Sequence, residues 1–119
     1  MKQPQDCRSM VELRSAIDTL DREIVALLVR RATYIDRAAQ LKPAEGLPAR
    51  IEARVEEVVA NVRRAGTELG LDPDLTEALW RRLIDWSIAR EEQVLGPSAN
   101  ASANPPTRPL ASPSEGQTE

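Results

Sequence analysis

Apolar and charged positions alternate in steps of three and four from residue 14 onward. The seam runs Arg14, Ile17, Asp21, Ile24, Leu28, Arg31, Ile35, Ala38, Lys42, with Leu13, Leu20 and Leu27 widening it on one flank. That spacing keeps side chains on one face of an α-helix. The helix is predicted to start at Ser9, where Ser9-Met10-Val11-Glu12 has capping-box form. It runs to about Lys42, where Pro43 and Gly46 stop it. A second helix is predicted from Pro48, a favoured first helical residue, with the stripe Ile51, Val55, Val58, Val62, Ala65, Leu69 and a stop at Gly70. Asp72-Pro73 then opens a third helix as cap and first residue. That helix packs Leu75, Leu79, Leu83, Ile84, Ile88 and Leu95, with Trp80 and Trp86 at its flanks, and Gly96-Pro97 closes it. No segment alternates as a strand does, so the expected class is all-α: three helices, one of them long.

The helical domain is expected over residues 1–95. From residue 96 the chain turns to proline, serine and small polar residues, with Leu110 its one large apolar side chain. Residues 96–119 are therefore expected to form a disordered tail, too poor in apolar surface to offset chain entropy. A first helix of thirty-odd residues spans about 50 Å, whereas a globule of this size is about 35 Å across. The expected solution is an intertwined homodimer in which the long helices cover each other.

Composition narrows the chemistry. The 119-residue chain has no histidine, which excludes histidine acid–base catalysis and most transition-metal sites. Its lone Cys7 has no disulfide partner and no histidine to activate it, so it is read as structural. A net charge of −3 leaves no nucleic-acid footprint. No apolar run reaches membrane-spanning or signal-peptide form, so no membrane partner and a cytoplasmic location are expected. Arginine dominates the basic residues, which suits forked recognition of carboxylates.

Three cations on a core-facing seam need compensation, because burying an unpaired cation costs several kcal/mol. Two arrangements supply it. In one, Asp18, Asp21 and Asp36 act as internal counterions a turn away. In the other, an anionic small molecule enters the seam. Arg31 and Lys42 share a face about 16 Å apart, while Arg14 and Arg31 are about 25 Å apart. Arg14 can join such a site only from a second protomer, giving two shared sites per dimer. On the third helix, Ser87 and Glu91 are spaced i, i+4 beside Ile84, Ile88 and Leu95. Their face is either partly buried, where a protonated carboxyl can donate a hydrogen bond, or turned to solvent beside Glu92.

These residues resemble a family. Lys2, Pro4 and Asp6-Cys7 come first, followed by Arg14-x-x-Ile17-Asp18-x-x-Asp21-x-x-Ile24-Val25, then Arg31 and Lys42. Gly70-Leu71-Asp72 and Ile84-Asp85-Trp86-x-Ile88-Ala89 complete the pattern. In this order, over residues 2 to about 95, they resemble the all-helical chorismate mutases. The small branch that includes the isochorismate pyruvate lyases of salicylate synthesis is the most similar.

The resemblance implies an interlocked three-helix dimer acting without cofactor or metal on a dianionic substrate. It implies that Arg14 (from the partner chain), Arg31 and Lys42 bind the carboxylates and enol-ether oxygen, with Arg54, Ser87 and Glu91 lining the site. Lys42 and Glu91 are the implied catalytic pair, with Glu91 facing the ether oxygen and helping only when protonated. Residues Pro43 to Ala49 are expected to form a lid. Val55 and Ile51 stand where many mutases carry site acids, as in the lyase-like branch. Chorismate rearrangement to prephenate is the first expectation, and isochorismate cleavage to salicylate and pyruvate the alternative. A non-catalytic helical dimer with a regulatory or interaction role is the expectation of a different class.

Overall fold

A computed structural model describes residues 2–96, so all but the first residue of the tail expected at residues 96–119 lies outside the described residues. The element order is a 3₁₀ turn at Pro4–Asp6, then α1 (Met10–Glu45), α2 (Glu52–Leu69) and α3 (Pro73–Leu95). Among the described residues the fold is all-α, in agreement with the apolar periodicity. No helix among them is long and apolar enough to cross a membrane. Among the described residues the chain divides into two compact units, one ending at Thr33 and the other beginning at Tyr34.

In the first unit, the Ser9 hydroxyl caps α1 by accepting from the Glu12 amide at 3.2 Å. The reciprocal arm of the box reaches one residue further than expected: the Glu12 carboxylate accepts from the Arg8 amide at 2.9 Å rather than from Ser9. Lys2 Nζ donates to the same oxygen at 3.3 Å. The Arg8 amide first, and then Lys2, hold the Glu12 carboxyl below its ordinary value of 4.5. Cys7 is partly buried, its thiol directed at the Gln3 carbonyl. Ile17, Leu20, Ile24 and Leu27 are each 45–57 % exposed.

In the second unit, α1 passes through Pro43 instead of stopping at Lys42. Proline removes one donor but its fixed φ suits a helix, and termination falls to Gly46 at φ 71°. There the Gly46 amide donates to Pro43 O at 3.1 Å and the Leu47 amide to Lys42 O at 2.9 Å, a Schellman closure. Pro48 does not start α2. The helix begins four residues later, with Ile51 as an N-cap that offers no side-chain hydrogen bond. The expected lid is correspondingly altered: Pro43 to Glu45 are helical, and Ala49 is only 4 % exposed.

The core consists of Ala49, Val55, Val59, Ile84 and Ile88, with Val58, Trp80 and Leu95 packed against it. The buried line of α2 is Val55, Val59 and Gly66, rotated from the expected stripe, and Leu69 is 86 % exposed. Glycine explains the rotation. A Cβ on Gly66 would lie 2.7 Å from Thr76 Oγ1 and 3.1 Å from Leu71 O, so the bare backbone is what lets α3 approach. On α3 the buried residues are Thr76, Ile84, Ser87, Ile88 and Glu91. Trp80 joins the core rather than flanking it, whereas Leu75 and Leu79 are about half exposed.

Gly70 (φ 93°) ends α2 and the Asp72 carboxylate caps α3 by accepting from the Asp74 amide at 2.8 Å, both as expected. Ion pairs lace the outer side of this hairpin. Arg81 donates to Glu77 at 2.6 Å and Glu56 at 3.0 Å, and Arg63 to Glu77 at 2.8 Å and Asp74 at 3.0 Å. The Arg81 guanidinium holds both the Glu56 and the Glu77 carboxyls below their ordinary value.

Candidate functional site

Lys42 occupies the last turns of α1, and Glu91 the last turns of α3. The two residues are forty-nine positions apart in sequence, yet Lys42 Nζ donates to Glu91 Oε1 at 2.6 Å. A second Nζ proton goes to Ala49 O at 2.8 Å, joining α1 to the segment that leads into α2. The Lys42 side chain is 17 % exposed and that of Glu91 5 %. A charge-assisted pair this sheltered acts in a low dielectric, where its field is strong. Ser87, one turn before Glu91, is equally buried at 4 %.

The solvent-facing alternative for Glu91 is thereby excluded. Its Oε1 accepts from Lys42 Nζ. The internal-counterion arrangement is also resolved for Lys42 and Asp36: the acid that meets Lys42 comes from α3, while Asp36 turns to Arg90. Arg90 Nε donates to Asp36 Oδ1 at 2.5 Å and Nη2 to Oδ2 at 3.0 Å, a two-pronged fork. The guanidinium carbon lies 5.3 Å from the Trp86 ring centroid.

Of the other expected site residues, Arg54 belongs to the second unit and Arg14 and Arg31 to the first. Arg54 stands on the exposed surface of α2, donating to Glu57 at 2.9 Å, with both side chains more than half exposed. In the first unit Arg14 is exposed and Arg31 partly buried. An open hollow of about 420 Å³ in that unit, lined by Lys2, Val11, Glu12, Ser15, Ala16 and Thr19, contains none of the expected site residues. Among the described residues no cluster of three or more His, Cys, Asp or Glu is placed to hold a metal ion. The sequence reasoning missed Arg90 and the role of the Ala49 carbonyl, and it gave Asp36 to the seam cations, whereas Asp36 pairs with Arg90. The carbonyl of Ala49 has no side-chain signal, and a pair formed across two helices leaves no periodicity.

Comparison with known proteins points the same way as the motifs. The chain is 37 % identical over 92 residues to an isochorismate pyruvate lyase of Pseudomonas aeruginosa, covering 76 % of this chain and 89 % of that protein. It is 32 % identical over 85 residues to the T-protein of Haemophilus influenzae, covering 71 % of this chain and 22 % of that protein. A bifunctional chorismate mutase/prephenate dehydratase of Aquifex aeolicus is 33 % identical over 97 residues, covering 74 % of this chain and 26 % of the relative. The chain thus spans about a quarter of these two longer relatives. Residues 13–92 match the family described as chorismate mutase type II, and with that match extending over most of its length the chain belongs to this family.

Proposed function

We propose that the protein is a chorismate mutase, converting chorismate to prephenate by a cofactor-free rearrangement. The observation that carries this reading is the sheltered Lys42–Glu91 contact beside Ser87. The rearrangement breaks the ether C–O bond as a C–C bond forms, with no atom gained or lost and no proton transferred. A catalyst has two tasks: holding the dianion in its compact conformer and stabilising charge that grows on the ether oxygen. Lys42 is the group for the second task, with its ammonium already oriented by two acceptors. Glu91 and Ser87 supply adjacent polar atoms. Arg31 is given a substrate carboxylate and Arg54 a place in the site lining, roles that rest on the motif resemblance.

Arg14 is assigned to the site of a second copy in a homodimer. The half-exposed Ile17, Leu20, Ile24 and Leu27 support such pairing, since a soluble chain gains by covering them. A cytoplasmic location accompanies this reading. Mixing an Arg14→Ala chain with an Arg31→Ala chain should restore turnover after subunit exchange, because one site of the heterodimer keeps both arginines. A mixture as inactive as either parent would refute shared sites.

Isochorismate cleavage to salicylate and pyruvate is the second reading. It is favoured by the 89 % coverage of the lyase relative and by Val55 and Ile51 at positions where many mutases have acids. Purified protein given each substrate in turn separates the two readings. Loss of chorismate absorbance with a kcat/KM well above that for salicylate release supports the mutase, and the reverse ratio supports the lyase. If neither substrate turns over and neither raises the melting temperature, the helical domain is a non-catalytic module.

A further inference from the structure

The Lys42–Glu91 contact joins two flexible side chains through a single pair of atoms, Nζ and Oε1. An ammonium is a point charge on a four-carbon stem, so such a contact tolerates many relative positions of its two helices. Something else must set their spacing. Arg90 adjoins Glu91 on α3, and Asp36 precedes Lys42 on α1 by six residues, about 9 Å along the axis. The fork between Arg90 and Asp36 therefore fastens the same two helices at a second point, and does so with two parallel hydrogen bonds. A planar fork on a carboxylate is directional and resists both sliding and rotation. The Trp86 ring, one helical turn before Arg90, backs the guanidinium at 5.3 Å and restricts its rotamers.

We propose that Asp36, Arg90 and Trp86 form a clamp that positions Glu91 against Lys42. Asp36 and Arg90 are then positioning residues, an inference that rests on the reading of Lys42 and Glu91 as site residues. Exposure explains why the clamp serves placement rather than stability. The Arg90 side chain is 40 % exposed and that of Asp36 27 %, and pairs this open to water contribute little to folding. Placement is much less forgiving, since misplacing a catalytic group by about 1 Å can lower a rate roughly 100-fold.

Lys2 and Lys42 are the lysines of this chain, which makes the test direct. Brief acetylation of the full-length protein, read by peptide mass spectrometry, compares sheltered Lys42 with half-exposed Lys2 as internal reference. In Arg90→Gln and in Asp36→Asn, the Lys42:Lys2 labelling ratio should rise at least threefold. Their kcat should fall about tenfold or more with KM changed less than threefold, and their melting temperature should stay within about 3 °C of wild type. The charge-reversed double variant D36R/R90D should recover a large part of both losses, because the fork is rebuilt in the opposite sense. Labelling and kcat unchanged in both single variants would overturn the clamp. So would a labelling gain matched by an equal gain in global amide exchange, which would make the pair a stability element only. If the wild type turns over neither substrate, the functional reading fails while the labelling ratio still decides the clamp.

Discussion

Replacing Lys42 with methionine tests the buried pair most directly, because it removes the ammonium and roughly preserves the side chain's length. The Glu91 carboxylate, 5 % exposed, then keeps its burial and loses its cation. Breaking a buried ion pair by removing one partner destabilises by about 3–5 kcal/mol. The 17 % exposure on the lysine side lets water reach the orphaned group, so the lower end applies, about 3 kcal/mol. Glu91→Leu leaves Lys42 with the Ala49 carbonyl and a route to solvent, and should lose less, about 2 kcal/mol. The double variant K42M/E91L replaces the pair with apolar atoms of similar volume and should lie within about 1 kcal/mol of wild type. The coupling energy is then about 4 kcal/mol, at or above the upper end of values found between contacting residues. Urea titrations followed by circular dichroism at one fixed protein concentration give all three numbers, since association would otherwise shift the midpoints. Single losses below about 0.5 kcal/mol that simply add in the double variant would refute the account of a sheltered, strongly coupled pair.

Three further outcomes follow from the hairpin of α2 and α3. Gly66→Ala places a methyl 2.7 Å from Thr76 Oγ1; the overpacking loss of about 1–3 kcal/mol should exceed the helix-propensity gain of about 1 kcal/mol, lowering the urea midpoint. Asp72→Ala removes the acceptor of the Asp74 amide and should destabilise by about 1 kcal/mol, with Asp72→Asn largely neutral by the same titration. Glu77 lies below its ordinary value of 4.5 because Arg81 donates to it; a depressed carboxyl contributes stability above its unfolded value that is lost as pH falls through the folded one. The urea midpoint should therefore drop between pH 5 and 3, and Glu77→Gln should flatten that limb; an unchanged slope would remove the Arg81 pair from the acid response.

Legibility followed the range of the interactions. Gly70, Asp72 and Gly96 were placed correctly because capping is decided by the few residues around each of them. Pro48 misled because proline suits a helix start but also an ordinary connection, and Ile51, which does precede α2, has no capping side chain to reveal it. The α2 stripe was misregistered because Gly66 adds nothing to an apolar count, although its missing Cβ is what buries it. The seam of α1 flagged Lys42 correctly as needing a counter-charge. The source of that charge was opaque, since Asp36 is nearer in sequence but belongs to Arg90, and Glu91 becomes a partner only through the tertiary fold. The i, i+4 spacing of Ser87 and Glu91 beside apolar neighbours left both a buried and a solvent-facing arrangement open, and the packing of α3 decides for burial.

The tight corner between α2 and α3 also bears on how the chain folds. Gly66 O accepts from both the Gly70 and Leu71 amides, and Asp72 caps the next helix at once, so the two helices need close only a three-residue connection. Such local closure is fast, whereas bringing Lys42 to Glu91 requires ordering a loop of nearly fifty residues. The hairpin is therefore the expected folding nucleus. Substitutions at Asp72 should slow refolding, while loss of the Lys42–Glu91 contact should leave refolding almost untouched and accelerate unfolding instead.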